Sequence, residues 1–412
     1  MHRVNSDSFA NPIVTPEQRG TVHERTLAYL RGRFGDYYRR TEIDLPPDAD
    51  GREWGYVPWT EAPGERYVRH NSLLDLGDIS DFLARKRPKH VYFSAGRYDN
   101  PSASTMEEKG WRRSDLIFDL DADHLPSTAP DDSYAEMLAA CKDALHRLLD
   151  FLENDFAFED LTVVFSGSRG YHVHVRDENI QHLARDSRRE VVDYVRGIGL
   201  EFDALVEEET VGGTVGRESP ASNRYLPTEG GWSGRIHTQL LSLMEKIREM
   251  DEETAVARLQ EYDGIGEKKA RTAYSFTQTR FVEIERGNLS AHNVFENLAA
   301  EFAPAVVAES NAPIDEPVST DTNRLIRLPG SLHGGSGLAV RPVPREDLDD
   351  FDPLVDAVPE TFRSHDITVE VTDGGVVELD GDSFTLEEGV HTVPEHLGVF
   401  LMARGRAEKG KE

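Results

Sequence analysis

The chain has 412 residues, enough for two or three domains, and 76 Asp and Glu against 46 Lys and Arg give a net charge of -30. That balance disfavours nucleic-acid binding over the whole surface, leaves room for a local basic groove, and suits surroundings in which salt screens charge. The single cysteine, Cys141, excludes an intrachain disulfide and a multi-cysteine zinc site. With no signal peptide and no apolar run of spanning length, the expectation is a cytoplasmic protein without a membrane partner.

Residues 1–20 are polar and expected to be mobile. Val22, Leu27 and Leu30 predict a helix over 21–33, before the basic, aromatic run Arg33-Phe34-Gly35-Asp36-Tyr37-Tyr38-Arg39-Arg40. Short strands at 52–55 and 67–70 flank a Pro/Gly-rich turn, a connecting helix covers 73–83, and strands follow at 90–94 and 116–121. Met137, Leu138, Cys141, Leu145 and Leu148 recur at helical spacing and predict a helix over 133–151. Strands at 161–165 and 171–175 bracket a glycine turn. Interleaved strands and helices make the core, 21–202, α/β or α+β.

From 203 to 291 glycine and charge rise and helical patterns appear at 236–250 and 252–262, predicting an inserted, mostly helical subdomain. Within it Gly264-Ile265-Gly266-Glu267-Lys268-Lys269-Ala270 reads as a turn between helices, or as a helix-hairpin-helix loop that binds DNA phosphates through backbone N–H groups. The core resumes over 292–405. A hairpin is expected from 367–371 through Asp373-Gly374-Gly375 to 376–379, then a helix near 395–404 and a charged tail at 406–412.

Three blocks carry chemistry. The first is Asp115-Leu116-Ile117-Phe118-Asp119-Leu120-Asp121-Ala122-Asp123-His124, an apolar strand ending in acid. Alternation along a strand puts Asp119 and Asp121 on one face, about 7 Å apart. Two such carboxylates repel, and a hard divalent cation, Mg²⁺ or Mn²⁺, removes the repulsion. The plain alternative is a strand running out into an acidic surface turn. The second block is Ser166-Gly167-Ser168-Arg169-Gly170-Tyr171-His172-Val173-His174, where a glycine turn lets backbone amides, Ser166, Arg169 and His172 converge on phosphate oxygens. The plain alternative is a β-turn with an exposed arginine. His172 and His174 share a strand face as a metal pair would, but no third ligand is evident nearby. The third block, 315–334, brings a carboxylate, two arginines and a histidine into a short span, or else is a surface loop before a solvated element. Together they hold the inventory for nucleotidyl transfer: acids for two metal ions, Arg and His for a triphosphate.

In order and wording the blocks resemble the small, catalytic subunit of archaeal and eukaryotic DNA primase, most of all the archaeal form. The matching pieces are Arg52-Glu53-Trp54-Gly55, Tyr67-Val68-Arg69, Phe118-Asp119-Leu120-Asp121, Ser166 to His172, and Asp315 to His333. The resemblance implies an archaeo-eukaryotic primase fold with an RRM-like mixed sheet, and synthesis of short RNA, or DNA, primers on a single-stranded DNA template from nucleoside triphosphates. It implies metal binding and catalysis by Asp119, Asp121 and a third aspartate. The family pattern selects Asp315, ahead of Val318, over the fallback Asp321. It assigns nucleotide contacts to Ser166, Arg169, His172, Arg327 and His333, and it implies a large subunit as heterodimer partner. The zinc site that many relatives carry cannot form by its usual ligands, since only Cys141 and His124 stand there. The acid excess adds a salt-loving archaeal source.

Rival readings exist. A haloacid-dehalogenase-type phosphatase shares Leu116 to Asp121, but Ala122-Asp123 follows where that family has Gly-Thr or a similar pair. It also leaves the second and third blocks without a purpose. A non-catalytic DNA-binding subunit does not need intact carboxylates, and a repair or translesion primase-polymerase is the nearest enzyme alternative.

Overall fold

The computed structural model describes residues 24–60, 66–129, 132–211 and 221–411; the expected mobile segment 1–20 lies outside them. The chain divides into two compact units, one of 1–142, 160–185 and 315–412, the other of 143–159 and 186–314.

The first unit is built on two four-stranded sheets. One orders Leu325–Arg327, His90–Ser94, Trp54–Val57 and Val68–Asn71 from edge to edge. The other orders Arg341–Val343, Leu161–Phe165, Gly170–Val175 and Leu116–Asp121. Every pairing in both is antiparallel, so the sheet expected to be mixed is not. In the second sheet Asp119 stands opposite His172 and Asp121 opposite Gly170. One face of it is apolar, with Phe118, Leu120, Val163, Phe165, Tyr171 and Val173 buried. Helix Tyr134–Asp150 covers this face near Leu120, whose carbonyl lies 3.6 Å from the Cys141 thiol. The other face carries Asp119, Asp121, His172 and His174, and meets the first sheet where Phe93 stacks on His174 at 6.1 Å and 12°. Ala95, Ile117, Val318 and Ile326 form the small apolar cluster of this seam.

A buried ionic network ties the sheets together behind that seam. Asp115, just ahead of the Leu116–Asp121 strand, accepts from Arg52 at 2.8 Å and Arg97 at 2.7 Å, with Arg176 at 3.6 Å. Arg52 also donates to the carbonyls of Pro47, Ser94 and Ala95. Its neighbour Glu53, equally buried, accepts from Arg69, Lys109 and the His70 backbone.

The predicted first helix runs Glu24–Tyr38 and absorbs most of the aromatic, basic run. The connecting helix is two, Leu73–Leu76 and Ile79–Lys86, interrupted at Gly77, whose φ is 77°. The expected hairpin over 367–379 does not form. Asp366–Val371 pairs instead with Gly389–Pro394 and Ala407–Lys409, while Gly375–Leu379 pairs with Asp382–Leu386. Residues 406–412 are therefore not a free tail over 407–409, where Ala407 and Lys409 are buried.

The second unit is larger than the 203–291 insertion. Helices Gly231–Glu249, Glu252–Leu259, Glu267–Thr279 and Asn293–Ser310 enclose a core that includes Ile236, Leu240, Met244, Leu259, Phe295 and Leu298. Residues 143–159 join it because Arg235 pairs with Asp150 and with Asp155 at 2.7 Å, and lies 4.0 Å over the Phe151 ring. A two-stranded hairpin, Glu207–Val211 with Ala221–Tyr225, completes it. In the 264–270 turn Ile265 is buried in this core and the Lys269 ammonium turns back onto the Gly264 carbonyl at 3.0 Å.

Candidate active site

The Leu116–Asp121 strand ends where its burial alternates: Phe118 and Leu120 are fully buried, Asp119 and Asp121 half-buried on the opposite face. Asp315 reaches the same place from the third block. Its backbone N–H donates to the Asp119 carbonyl at 3.0 Å, and it precedes the short helix Glu316–Thr320. The carboxylate of the competing Asp321 accepts from the Asn323 backbone at 2.8 Å and acts electrostatically on Tyr98.

Burial, then the charges of Asp121 and Asp315, push the Asp119 carboxyl up to about 7, against the opposing pull of Arg324 and Arg327. This is the electrostatics of three carboxylates short of positive charge. Among the described residues no group of three or more His, Cys, Asp or Glu side chains is already set as a metal cage. The donor set nevertheless suits a hard divalent cation, which offers the missing charge to oxygen ligands.

The cationic wall comes from the other two blocks. The Ser166–Gly170 turn is held by Ser166 N–H to Gly170 C=O at 2.9 Å and by Ala122 N–H to Arg169 C=O at 3.0 Å. Gly170 has no alternative there, because a Cβ would sit 1.9 Å from the Leu120 carbonyl oxygen. Gly167, at φ 83°, lets the turn pass His333, whose Cβ would be 2.7 Å from a Cβ at 167. Arg169 thus faces the acids, pairing with Asp123 and lying 4.0 Å from Asp121. His172 Nε2 is 3.4 Å from Asp119 Oδ1. Burial, with Arg327 and Arg324 nearby, lowers the His172 pKa to about 3, so the ring is neutral.

Arg327, on the edge strand Leu325–Arg327, donates to Tyr92 Oη at 3.2 Å and stands 2.7 Å from His90 Nδ1, with its guanidinium 5.3 Å over the Tyr92 ring. His333 packs edge-on against His90 at 4.8 Å. Its Nδ1 accepts from the Gly335 N–H at 3.1 Å, which leaves Nε2 to carry the proton as a donor. Burial and Arg327 hold it neutral, well below the usual histidine range. His174, also buried and neutral, stacks on Phe93 behind the site; its ring is 6.4 Å from that of His172.

The structure therefore brings Asp119, Asp121, Asp315, Ser166, Arg169, His172, Arg327 and His333 onto one side of the first unit. Sequence reasoning assigns no role to Arg324, which acts on both Asp119 and His172, nor to His90 and Tyr92, which orient Arg327. The signal for the last two is alternation: in the 90–94 strand both point the same way.

A cluster of acids thus faces arginines and neutral histidines on an antiparallel α+β scaffold. The particular family follows from comparison with known proteins. The family model for the DNA primase small subunit matches residues 118–344. The chain is 69% identical over 392 residues to the DNA primase small subunit PriS of Haloarcula marismortui, covering 95% of this chain and all of that protein. It is 55% identical to that of Natronomonas pharaonis over 95% of this chain and all of the relative, and 39% identical to that of Methanococcoides burtonii over 94% and 99%. The chain belongs to the DNA primase small subunit family. It is a catalytic primase, a nucleotidyltransferase of DNA replication, of halophilic archaeal type.

Proposed function

We propose that Asp119, Asp121 and Asp315 hold two divalent cations, Mg²⁺ or Mn²⁺, and that Ser166, Arg169, His172, Arg327 and His333 hold the triphosphate of the incoming nucleotide. The observation that carries the reading is the gathering of three carboxylate residues: Asp119 and Asp121 share one strand face, and the Asp315 N–H donates to the Asp119 carbonyl at 3.0 Å; burial with Asp121 and Asp315 accordingly raises the Asp119 pKa, against Arg324 and Arg327. Cations bound there supply Lewis acidity at a primer 3′-hydroxyl and charge neutralisation at the leaving pyrophosphate. The chain's own groups position and neutralise. Arg169 and Arg327 offer charged forks to phosphate oxygens, and neutral His333 donates through Nε2. Neutral His172 adds no positive charge against the bound cations and fills the space beside Asp119.

The product is a short RNA primer, or DNA, on single-stranded DNA, and the working form is a heterodimer with a large primase subunit. The test is de novo primer synthesis on single-stranded DNA by the chain alone and with that partner. His172→Ala and Arg169→Ala are expected to weaken nucleotide use about tenfold or more, with a smaller effect on template affinity. Equal losses in both would assign the turn to the DNA groove instead.

A further inference from the structure

Beside Arg169, on the same unit, lies a cavity of about 270 Å³ that the triphosphate reading does not use. Tyr134, Phe400, Arg404 and Arg406 line it with Arg169, and the acidic residues Asp132 and Glu378 lie at its wall as well. Arg404 lies 4.3 Å over the Tyr134 ring and 5.2 Å over that of Phe400. Among the described residues its guanidinium forms no hydrogen bond or ion pair. Arg406 is steadied by the carbonyls of Asp373 and Gly374 and lies 3.5 Å from the Asp373 carboxylate. Tyr134 in turn donates to the Ser168 carbonyl at 2.7 Å, fixing the cavity to the Arg169 turn.

In a chain with 30 more negative than positive charges, a guanidinium that, among the described residues, hydrogen-bonds to no carboxylate while two others lie close by needs a reason. Arg404 follows helix Glu395–Ala403, and a helix C-terminus favours one cation. That accounts for Arg404 alone and not for three guanidinium groups on one cavity. Burial, with Arg169 and Arg406 close by, lowers the Arg404 pKa, against Tyr134 and Asp123, which act to raise it. The aromatic shelf holds the guanidinium in place without consuming its five N–H donors.

We infer that this cavity binds a phosphate group, either of the nucleic-acid strand entering the active site or of a nucleotide, with Arg404 as its principal contact. The inference rests on the reading of Arg169 as a phosphate contact. It makes Arg404 and Arg406 a second station on a phosphate track that begins at Arg169.

The experiment compares wild type with Arg404→Gln and Arg404→Lys, with thermal unfolding to verify that each variant is folded. One arm measures single-stranded oligonucleotide affinity across the KCl range in which the protein stays folded; the other measures the KM for nucleoside triphosphate on a primed template. If the phosphate belongs to the strand, Arg404→Gln weakens binding of every sequence alike and makes the slope of log affinity against log salt shallower by about 0.7. If it belongs to a nucleotide, KM rises about tenfold and the salt slope is unchanged. In either case Arg404→Lys recovers part of the loss. Folded Arg404→Gln that matches wild type in both arms overturns the inference. Arg169→Gln run in parallel separates the two claims. If it is impaired while Arg404→Gln is not, only this inference fails; if it too is unchanged, the reading beneath it fails as well.

Discussion

Asp119 carries function and instability in one side chain. Its carboxyl holds a proton up to about 7 in the folded, metal-free chain, against the ordinary aspartate value of 3.8 that stands for the unfolded chain. A carboxylate with a raised folded pKa favours the folded state at low pH. That contribution is complete below about 3.8 and is lost as pH rises towards 7, because the folded protein must then ionise a half-buried group beside two other carboxylates. The loss is at most about 4 kcal/mol. In metal-free buffer at pH 8, Asp119→Asn should therefore unfold at a higher temperature than wild type, and the gap should close towards pH 4. Added Mg²⁺ or Mn²⁺ should raise the wild-type unfolding temperature and leave the variant nearly unmoved. In the same variant, nucleotide incorporation should fall about a thousandfold or more. A variant that loses stability at pH 8, or keeps its activity, would contradict the assignment. Asp115 behaves in the opposite way. It neutralises the buried guanidinium groups of Arg52 and Arg97, with Arg176 close by. Asp115→Asn leaves those charges uncompensated and should cost about 3–5 kcal/mol, measured by denaturant unfolding at constant high salt.

Among elements, the strand pair that presents the site is the least tolerant. Gly170→Ala would drive a Cβ to within 1.9 Å of the Leu120 carbonyl oxygen, across from Asp121. The strands must separate to admit it, and destabilisation above about 2 kcal/mol is expected, with loss of activity. Gly32, inside helix Glu24–Tyr38, has nothing within 4 Å of a Cβ, so Gly32→Ala should stabilise by about 0.5–1 kcal/mol. Thermal unfolding of both variants checks the pair, and a harmless Gly170→Ala would contradict the pairing of Gly170 with Asp121. These strands were legible in the sequence because each is a short apolar run with local punctuation: 90–94, 116–121 and 161–165 coincide with the observed elements. Site residues on them were legible for the same reason, since a strand fixes which side chains share a face. The C-terminal sheet was not. Two Asp-Gly signals compete there, and the one that turns a hairpin is Asp380-Gly381, with φ of 56° and 80° closing the Leu379–Asp382 pair. Asp373-Gly374-Gly375 merely leads from one sheet to another, because both edges of Asp366–Val371 are taken by strands from further along the chain. The strand Ala407–Lys409 is hidden in a charged segment for a related reason. Lys409 is buried with its ammonium donating to the carbonyls of Thr368 and Gly410, a use of lysine that composition does not announce. Arg324 escaped because its role is electrostatic and comes from a neighbouring loop, not from its own alternation.

For the whole molecule, the separation of charge decides how it meets both its salt and its template. The net charge is -30, yet Arg169, Arg324, Arg327 and Lys89 act together on the candidate active site. Template phosphates therefore meet local attraction inside long-range repulsion. At about 0.1 M salt the Debye length is about 10 Å, and charges across the acidic surface still repel one another and the template. At about 1 M it falls to about 3 Å, which removes most of that repulsion while contacts at hydrogen-bond distance persist. Self-repulsion destabilises the compact state, so screening should raise stability. An ordinary nucleic-acid-binding enzyme loses template affinity as salt rises, because counterion release contributes less. This chain should instead unfold at progressively higher temperature from about 0.1 M to above 1 M KCl, and keep synthesising primers at molar KCl. Replacing KCl by a neutral osmolyte should not reproduce the gain below about 0.1 M salt, because an uncharged solute leaves the Debye length long. Thermal unfolding and primer synthesis over that series provide the measurement. Greatest stability and activity at low salt would refute the screening argument and leave the family assignment standing, since that assignment rests on sequence similarity and not on charge.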